Sequence, residues 1–130
     1  DLSDAMVYDP NFVSYVGDIS REVIKSFLRD NHIHVTHQMR LWERNYAVEQ
    51  YDMMLQTDTL EELCQVIISC RRLLCLSSGT ATLAAALGKP AIVFYGNGQK
   101  EMFHHSRLHR YVNCSAKMSP AERMENVLQV

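Results

Sequence analysis

At 130 residues and 15.0 kDa, with 47% apolar and 22% charged residues, the chain has the size of one globular domain, which excludes two full cores, a wholly disordered chain and a collagen-like or coiled-coil rod. Its net charge of −2 and pI near 6.3 give no overall basic field for a nucleic-acid backbone, so no nucleic-acid partner is expected. No apolar run reaches the roughly 18 residues of a membrane span, and no basic-then-apolar leader opens the chain, so no transmembrane segment is expected.

Apolar runs of strand length alternate with helix-length segments, which predicts an α/β fold: a Rossmann-like three-layer sandwich with a mostly parallel sheet of five or six strands, a single domain over 1–130. The predicted strands are 5–8, 33–36, 53–56, 73–76, 91–95 and 110–113. The unbroken apolar runs at 73–76 and 91–95 read as central parallel strands. Between the first two strands, Ser20 reads as an N-cap, Val23, Ile24, Phe27 and Leu28 as a buried stripe, and Asn31 as a stop. Thr59-Leu60-Glu61-Glu62 reads as a capping box in which Glu62 bonds back to the cap's own N–H, opening a helix that carries Leu60, Leu63, Cys64 and Ile67 inward. A short helix over 83–87, closed by Gly88, follows the fourth strand, and Ser119-Pro120-Ala121-Glu122 predicts a closing helix from Pro120 to about Gln129. Residues 96–108 are the one long stretch without periodicity.

The four cysteines, Cys64, Cys70, Cys75 and Cys114, contain no C-x-x-C pair, and the first three fall in apolar segments, which predicts reduced thiols and a cytoplasmic protein. The chain begins at Asp1 rather than Met, which predicts a piece excised from something longer.

The most informative stretch is Ser77-Ser78-Gly79-Thr80-Ala81-Thr82, directly after the best central strand and opening a helix. At the carboxyl end of a parallel strand, free N–H groups and the positive end of a helix dipole point outward together, and Gly79 lets a ligand approach the backbone. Phosphate is the expected guest. The same hydroxyls would equally serve as plain helix caps.

From Leu60-Glu61-Glu62-Leu63 through Gly96, about 40 residues, the chain resembles the C-terminal, donor-binding half of heptosyltransferase-like GT-B glycosyltransferases. That family shows a leucine-rich helix, a buried strand, Asp-Ser-Gly-Pro-x-His, an Ala-rich helix ending Gly-x-Pro, and a strand ending in Gly. Here the corresponding residues are Ser77-Ser78-Gly79-Thr80-Ala81-Thr82, then Leu83 to Pro90, then Ala91 to Gly96, with Ser77 in place of the family's Asp and Thr82 in place of its His. The resemblance implies a nucleotide-diphospho-sugar donor domain, bacterial and devoted to surface polysaccharide, with the diphosphate near Ser77, Ser78, Gly79, Thr80 and Thr82. It implies no cofactor and no metal, and it places the acceptor site and catalytic base in an N-terminal half that this chain lacks. No catalytic residue is therefore nominated, and the chain is not expected to turn over alone.

Leu41-Trp42-Glu43-Arg44-Asn45-Tyr46-Ala47 resembles the family's ribose-binding segment, which makes Glu43 the ribose candidate, since a carboxylate accepts two bonds from a vicinal diol. Trp42 would stack on a base or pack at a core edge. Thr57, in the turn Thr57-Asp58-Thr59, lies where the family has base contacts and also where the next helix needs a cap. The family's lysine before the first helix is absent from Gly17-Asp18-Ile19-Ser20. Its charge is sought in the loop after the fifth strand, where Lys100, Arg107 and Arg110 outnumber Glu101 and His104, His105 and His109 would add to them, unless that loop is simply a solvated one.

Gly96-Asn97-Gly98-Gln99-Lys100-Glu101 lacks the spacing of a P-loop, and there is no D-x-D. His32, His34 and His37 have no acidic or thiol ligand at a metal-like spacing, so no metal is expected. Two rival readings remain: a binding or scaffold domain of the same fold that lost its donor, and a phospho-receiver with Asp58 as acceptor. An isolated half would also expose an apolar rim suited to a homodimer.

Overall fold

The computed structural model describes residues 1–99 and 106–116. Within them the chain forms β1 (Met6–Asp9), α1 (Arg21–Asp30), β2 (His37–Met39), β3 (Met53–Leu55), α2 (Leu60–Ser69), β4 (Arg72–Leu76), α3 (Gly79–Ala86), β5 (Ala91–Tyr95) and β6 (Arg110–Asn113). The six strands make one sheet in the order β3-β2-β1-β4-β5-β6, every neighbouring pair parallel. The predicted closing helix, Lys100, Glu101, His104 and His105 lie outside the described residues.

Both faces of the sheet are covered, and the alternation of strand side chains decides which residue meets which helix. Tyr8, Leu74, Leu76, Ile92, Phe94 and Val112 share one core with Val23, Ile24, Phe27 and Leu28 of α1. Phe94 meets the rings of Tyr8 and Phe27 edge-on, with centroids 6.0 and 5.5 Å apart. Val7, Leu73, Cys75 and Val93 point the other way and pack with Ile67 of α2 and Ala81 and Ala84 of α3. Small side chains on α3 let it lie close to the sheet. Cys75 and Cys114 are free and buried, and burial raises both thiols, Cys114 to about 12, so they pack as small apolar groups.

The start and stop of α1 are those its sequence predicts: Ser20 Oγ accepts from the Val23 N–H at 3.4 Å, and Asn31 ends the helix with its N–H on Phe27 and Arg29 carbonyls. At α2, Thr59 Oγ1 accepts from the Glu62 N–H at 3.1 Å, but the Glu62 carboxylate reaches the N–H of Asp58, at 3.0 Å, instead of that of Thr59. Only Ile67 of α2 is fully buried; Leu63 and Cys64 are half-buried and Leu60 is 67% exposed. The first turn of α2 stands at the carboxyl edge of the sheet, where no strand lies beneath Leu60.

The second strand is not residues 33–36 but His37–Met39. His32 takes a left-handed backbone, φ 54°, and the next four residues climb out of that turn, with Val35 buried against α1. Thr36 then makes the junction with β1, its N–H donating to Met6 O at 3.1 Å and its Oγ1 accepting from Met6 N at 2.9 Å.

At the carboxyl edge, two loops cross at Gly17 and Gly96, where Gly96 N–H donates to Val16 O at 2.9 Å. A Cβ on Gly17, which has φ +97°, would sit 2.1 Å from the Gly96 carbonyl oxygen, so the crossing requires glycine.

Candidate functional site

Strand order reverses between β1 and β4, and their register sets Asp9 level with Cys75. The chain therefore leaves the sheet beside itself at Pro10-Asn11 and Ser77-Ser78, and a crevice opens between the two exits, as it does at such a reversal in doubly wound sheets. Its larger lobe, about 450 Å³, is walled by Asp9 to Ser14 without Pro10, by Trp42, Leu60, Leu63 and Leu83, and by Ser77, Ser78, Gly79 and Thr80. A second lobe of about 390 Å³ continues toward the ends of β2 and β3 along Met39, Arg40, Leu41 and Thr57, sharing Asp9, Asn11, Trp42, Leu63 and Thr80 with the first. Both volumes suit a small-molecule ligand. A separate hollow of about 430 Å³ lies between the end of α1 and residues 48–50, away from this edge, and its Lys25 is already paired with Glu22 and Glu49.

The floor of the crevice is a polar knot. Asp9 Oδ2 accepts the Thr80 hydroxyl at 2.5 Å, and Oδ1 accepts both the backbone N–H and the side-chain amide of Asn11, at 3.1 and 2.9 Å. Asn11 also donates to Arg40 O and accepts from Trp42 N–H, each at 2.8 Å, which ties the ends of β1 and β2 and the start of α3 together. Asp9 is 6% exposed, and burial pushes its carboxyl above the ordinary carboxylate range while the bonds from Thr80 and Asn11 pull the other way.

At the start of α3 the N-cap Ser78 makes no capping bond; its hydroxyl turns back to Leu76 O at 3.3 Å. The N–H groups of Gly79 and Thr80 find no acceptor among the described residues, and a Cβ on Gly79 would have nothing within 4 Å. These hydroxyls therefore do not serve as plain helix caps. Ser77 donates its hydroxyl to the Gln99 side chain, whose amide returns to Ser77 O at 3.4 Å.

Of the residues singled out from sequence, Ser77, Ser78, Gly79 and Thr80 line the larger lobe and Thr57 the smaller. Glu43 and Thr82 are exposed and line neither lobe; Lys100 lies outside the described residues. Arg107 and Arg110 stand at the entry to β6, the amino edge of the sheet, away from the crevice. His109 is buried away from the crevice, where Nδ1 accepts from Ala91 N–H at 3.0 Å and Nε2 faces Ala81 O at 2.7 Å. His34 pairs with Asp52 and His37 with Thr36, and among the described residues no three His, Cys, Asp or Glu side chains gather as a metal would need. Asp9, Asn11 and Arg40 stand outside the residues singled out from sequence, although an acid that ends an apolar strand, followed by Pro, is a visible sign of a strand exit.

The all-parallel 3-2-1-4-5-6 sheet with its crevice at the reversal defines a Rossmann-like α/β domain. The profile of glycosyltransferase family 9 (heptosyltransferase) matches residues 35–129, well over half of the chain, and the chain belongs to that family. No curated protein and no solved structure matches it significantly.

Proposed function

We propose that this chain is the donor-binding domain of a family 9 glycosyltransferase, with the diphosphate of a nucleotide sugar seated on the N-terminus of α3. The observation that carries the reading is the open start of that helix, where two N–H groups without acceptors face a crevice at the strand-order reversal and Gly79 leaves room for a ligand against the backbone. When the bond between sugar and diphosphate breaks, charge grows on the departing diphosphate, and preorganised N–H donors stabilise it without a metal. Ser77, Ser78 and Thr80 add hydroxyls, Thr57 faces the smaller lobe on the base side, and Glu43 follows Trp42 at the mouth, near enough in sequence to meet a ribose. Thr82 would act from outside the lining. The acceptor, a surface polysaccharide, and the catalytic base belong in this reading to another half of the enzyme.

Titration of the labelled domain with ADP, GDP, UDP, CDP and their sugars tests this. Saturable shifts at residues 77–80 are expected, and Gly79→Asp should abolish them, because it sets a carboxylate against the phosphates. The same substitution should leave the melting temperature near wild type, since the side chain enters open space and an acid in the first helical turn is favourable. Binding that survives Gly79→Asp would remove the phosphate from this helix. No response of the folded wild type to any nucleotide would favour the scaffold reading instead.

A further inference from the structure

We propose that Arg40 is the cation that meets the phosphoryl groups of the ligand in this crevice, an assignment that rests on the nucleotide reading above. Asp9 and Arg40 are the two charged side chains among the described residues that wall the two lobes; Arg40 lines the smaller one, which shares Asp9, Asn11 and Thr80 with the lobe at the start of α3 and so borders the proposed phosphate seat. A diphosphate brought beside the buried Asp9 carboxylate needs positive charge that two N–H groups do not supply alone. Arg40 directly follows β2, and its backbone is pinned on both sides, its N–H on Leu55 O at 2.7 Å and its carbonyl on the Asn11 amide at 2.8 Å. That same amide holds Asp9 at 2.9 Å. Its guanidinium, by contrast, enters no ion pair or hydrogen bond among the described residues and is exposed.

The other described cations are engaged or misplaced. Lys25 and Arg29 sit in ion pairs. Arg21, Arg44 and Lys89 rest on backbone carbonyls. Arg71, Arg72, Arg107 and Arg110 lie where β4 and β6 begin, at the opposite edge of the sheet. A planar guanidinium with paired donors is the side chain best matched to a phosphate's oxygens, and here it is mounted on a rigid backbone with a free head.

The test compares each nucleoside diphosphate that binds with its bare nucleoside, on wild type and on Arg40→Gln, by NMR titration. Arg40→Gln should weaken the diphosphate by about ten- to hundredfold and leave the nucleoside unchanged, with Arg40→Lys in between. Equal weakening of both ligands would mean that Arg40 shapes the pocket or touches the base, and overturns the assignment. An unchanged diphosphate affinity overturns it too, with the donor-site reading intact. If wild type binds no diphosphate at all, the donor-site reading fails first and this assignment with it.

Discussion

Burial disfavours the charged form of Asp9. Three donors stabilise the carboxylate, yet no lysine, arginine or histidine pairs with it among the described residues, and burial outweighs the donors. Its carboxyl is raised above the ordinary 3.8, so the folded state binds the proton more tightly than the unfolded chain does. The resulting penalty is complete above the folded-state pKa and is relieved as pH falls through it, so this residue's contribution to stability declines as pH rises. Asp9→Asn keeps one oxygen for Asn11 and can donate to the Thr80 hydroxyl, which rotates to accept. Urea denaturation between about pH 4 and pH 7 should therefore show the variant gaining on wild type as pH rises. A difference that stays constant over that range, or runs the other way, would mean that the knot offsets the burial of charge.

Among the described residues three helices begin behind three hydroxyl residues, and only two of those residues cap. Ser20 and Thr59 accept from the N–H three positions on, whereas Ser78 does not. Thr59→Ala and Ser20→Ala should each cost about 1 kcal/mol, and Ser78→Ala a few tenths at most, measured as shifts in the urea midpoint at constant slope. A cost at Ser78 as large as at Thr59 would restore it as a cap and close the proposed anion seat. Local sequence carried the elements whose pattern has one cause. The run at β5 is apolar because it pairs and packs at once, and the predicted bounds of β5 and β6 are the observed ones. Residues 33–36 alternate as a strand does because Ile33 and Val35 pack on α1 before any pairing starts, while the true strand hides behind His37 and the buried Gln38. Leu60 satisfies a helical stripe yet faces the crevice, because period alone does not say where the sheet stops beneath a helix. α3 starts at Gly79, four residues before the apolar run that marks it in the sequence, since a glycine costs little helical stability in the first turn.

Strand order is the property no local pattern contains, and it decides the site. The hydroxyl run after β4 was legible, but its partners Asp9, Asn11 and Arg40 become neighbours only because β1 lies between β2 and β4. The same order settles the signalling alternative. A phospho-receiver carries five strands ordered 2-1-3-4-5, with its acceptor aspartate at the end of a central third strand. Here the third strand, β3, is the edge of a six-stranded sheet, separated from β1 by β2 and so outside its expected place between β1 and β4. Asp58 sits past that edge in an exposed turn, its carboxylate taken by the Gln56 amide at 3.0 Å and its N–H given to Glu62 at 3.0 Å. Among the described residues the acids near it are engaged elsewhere and do not make the paired acid that would hold magnesium for transfer from acetyl phosphate: Glu62 is turned onto the Asp58 backbone, and Asp9 is buried in the crevice under Thr80. Incubation with acetyl phosphate and magnesium should therefore leave the intact mass unchanged, and Asp58→Asn should behave as wild type in that assay and in nucleotide titration. One phosphoryl group added to wild type and lost in Asp58→Asn would show that the carboxyl edge serves signalling after all, and would take the argument for a sugar-nucleotide donor out of this fold.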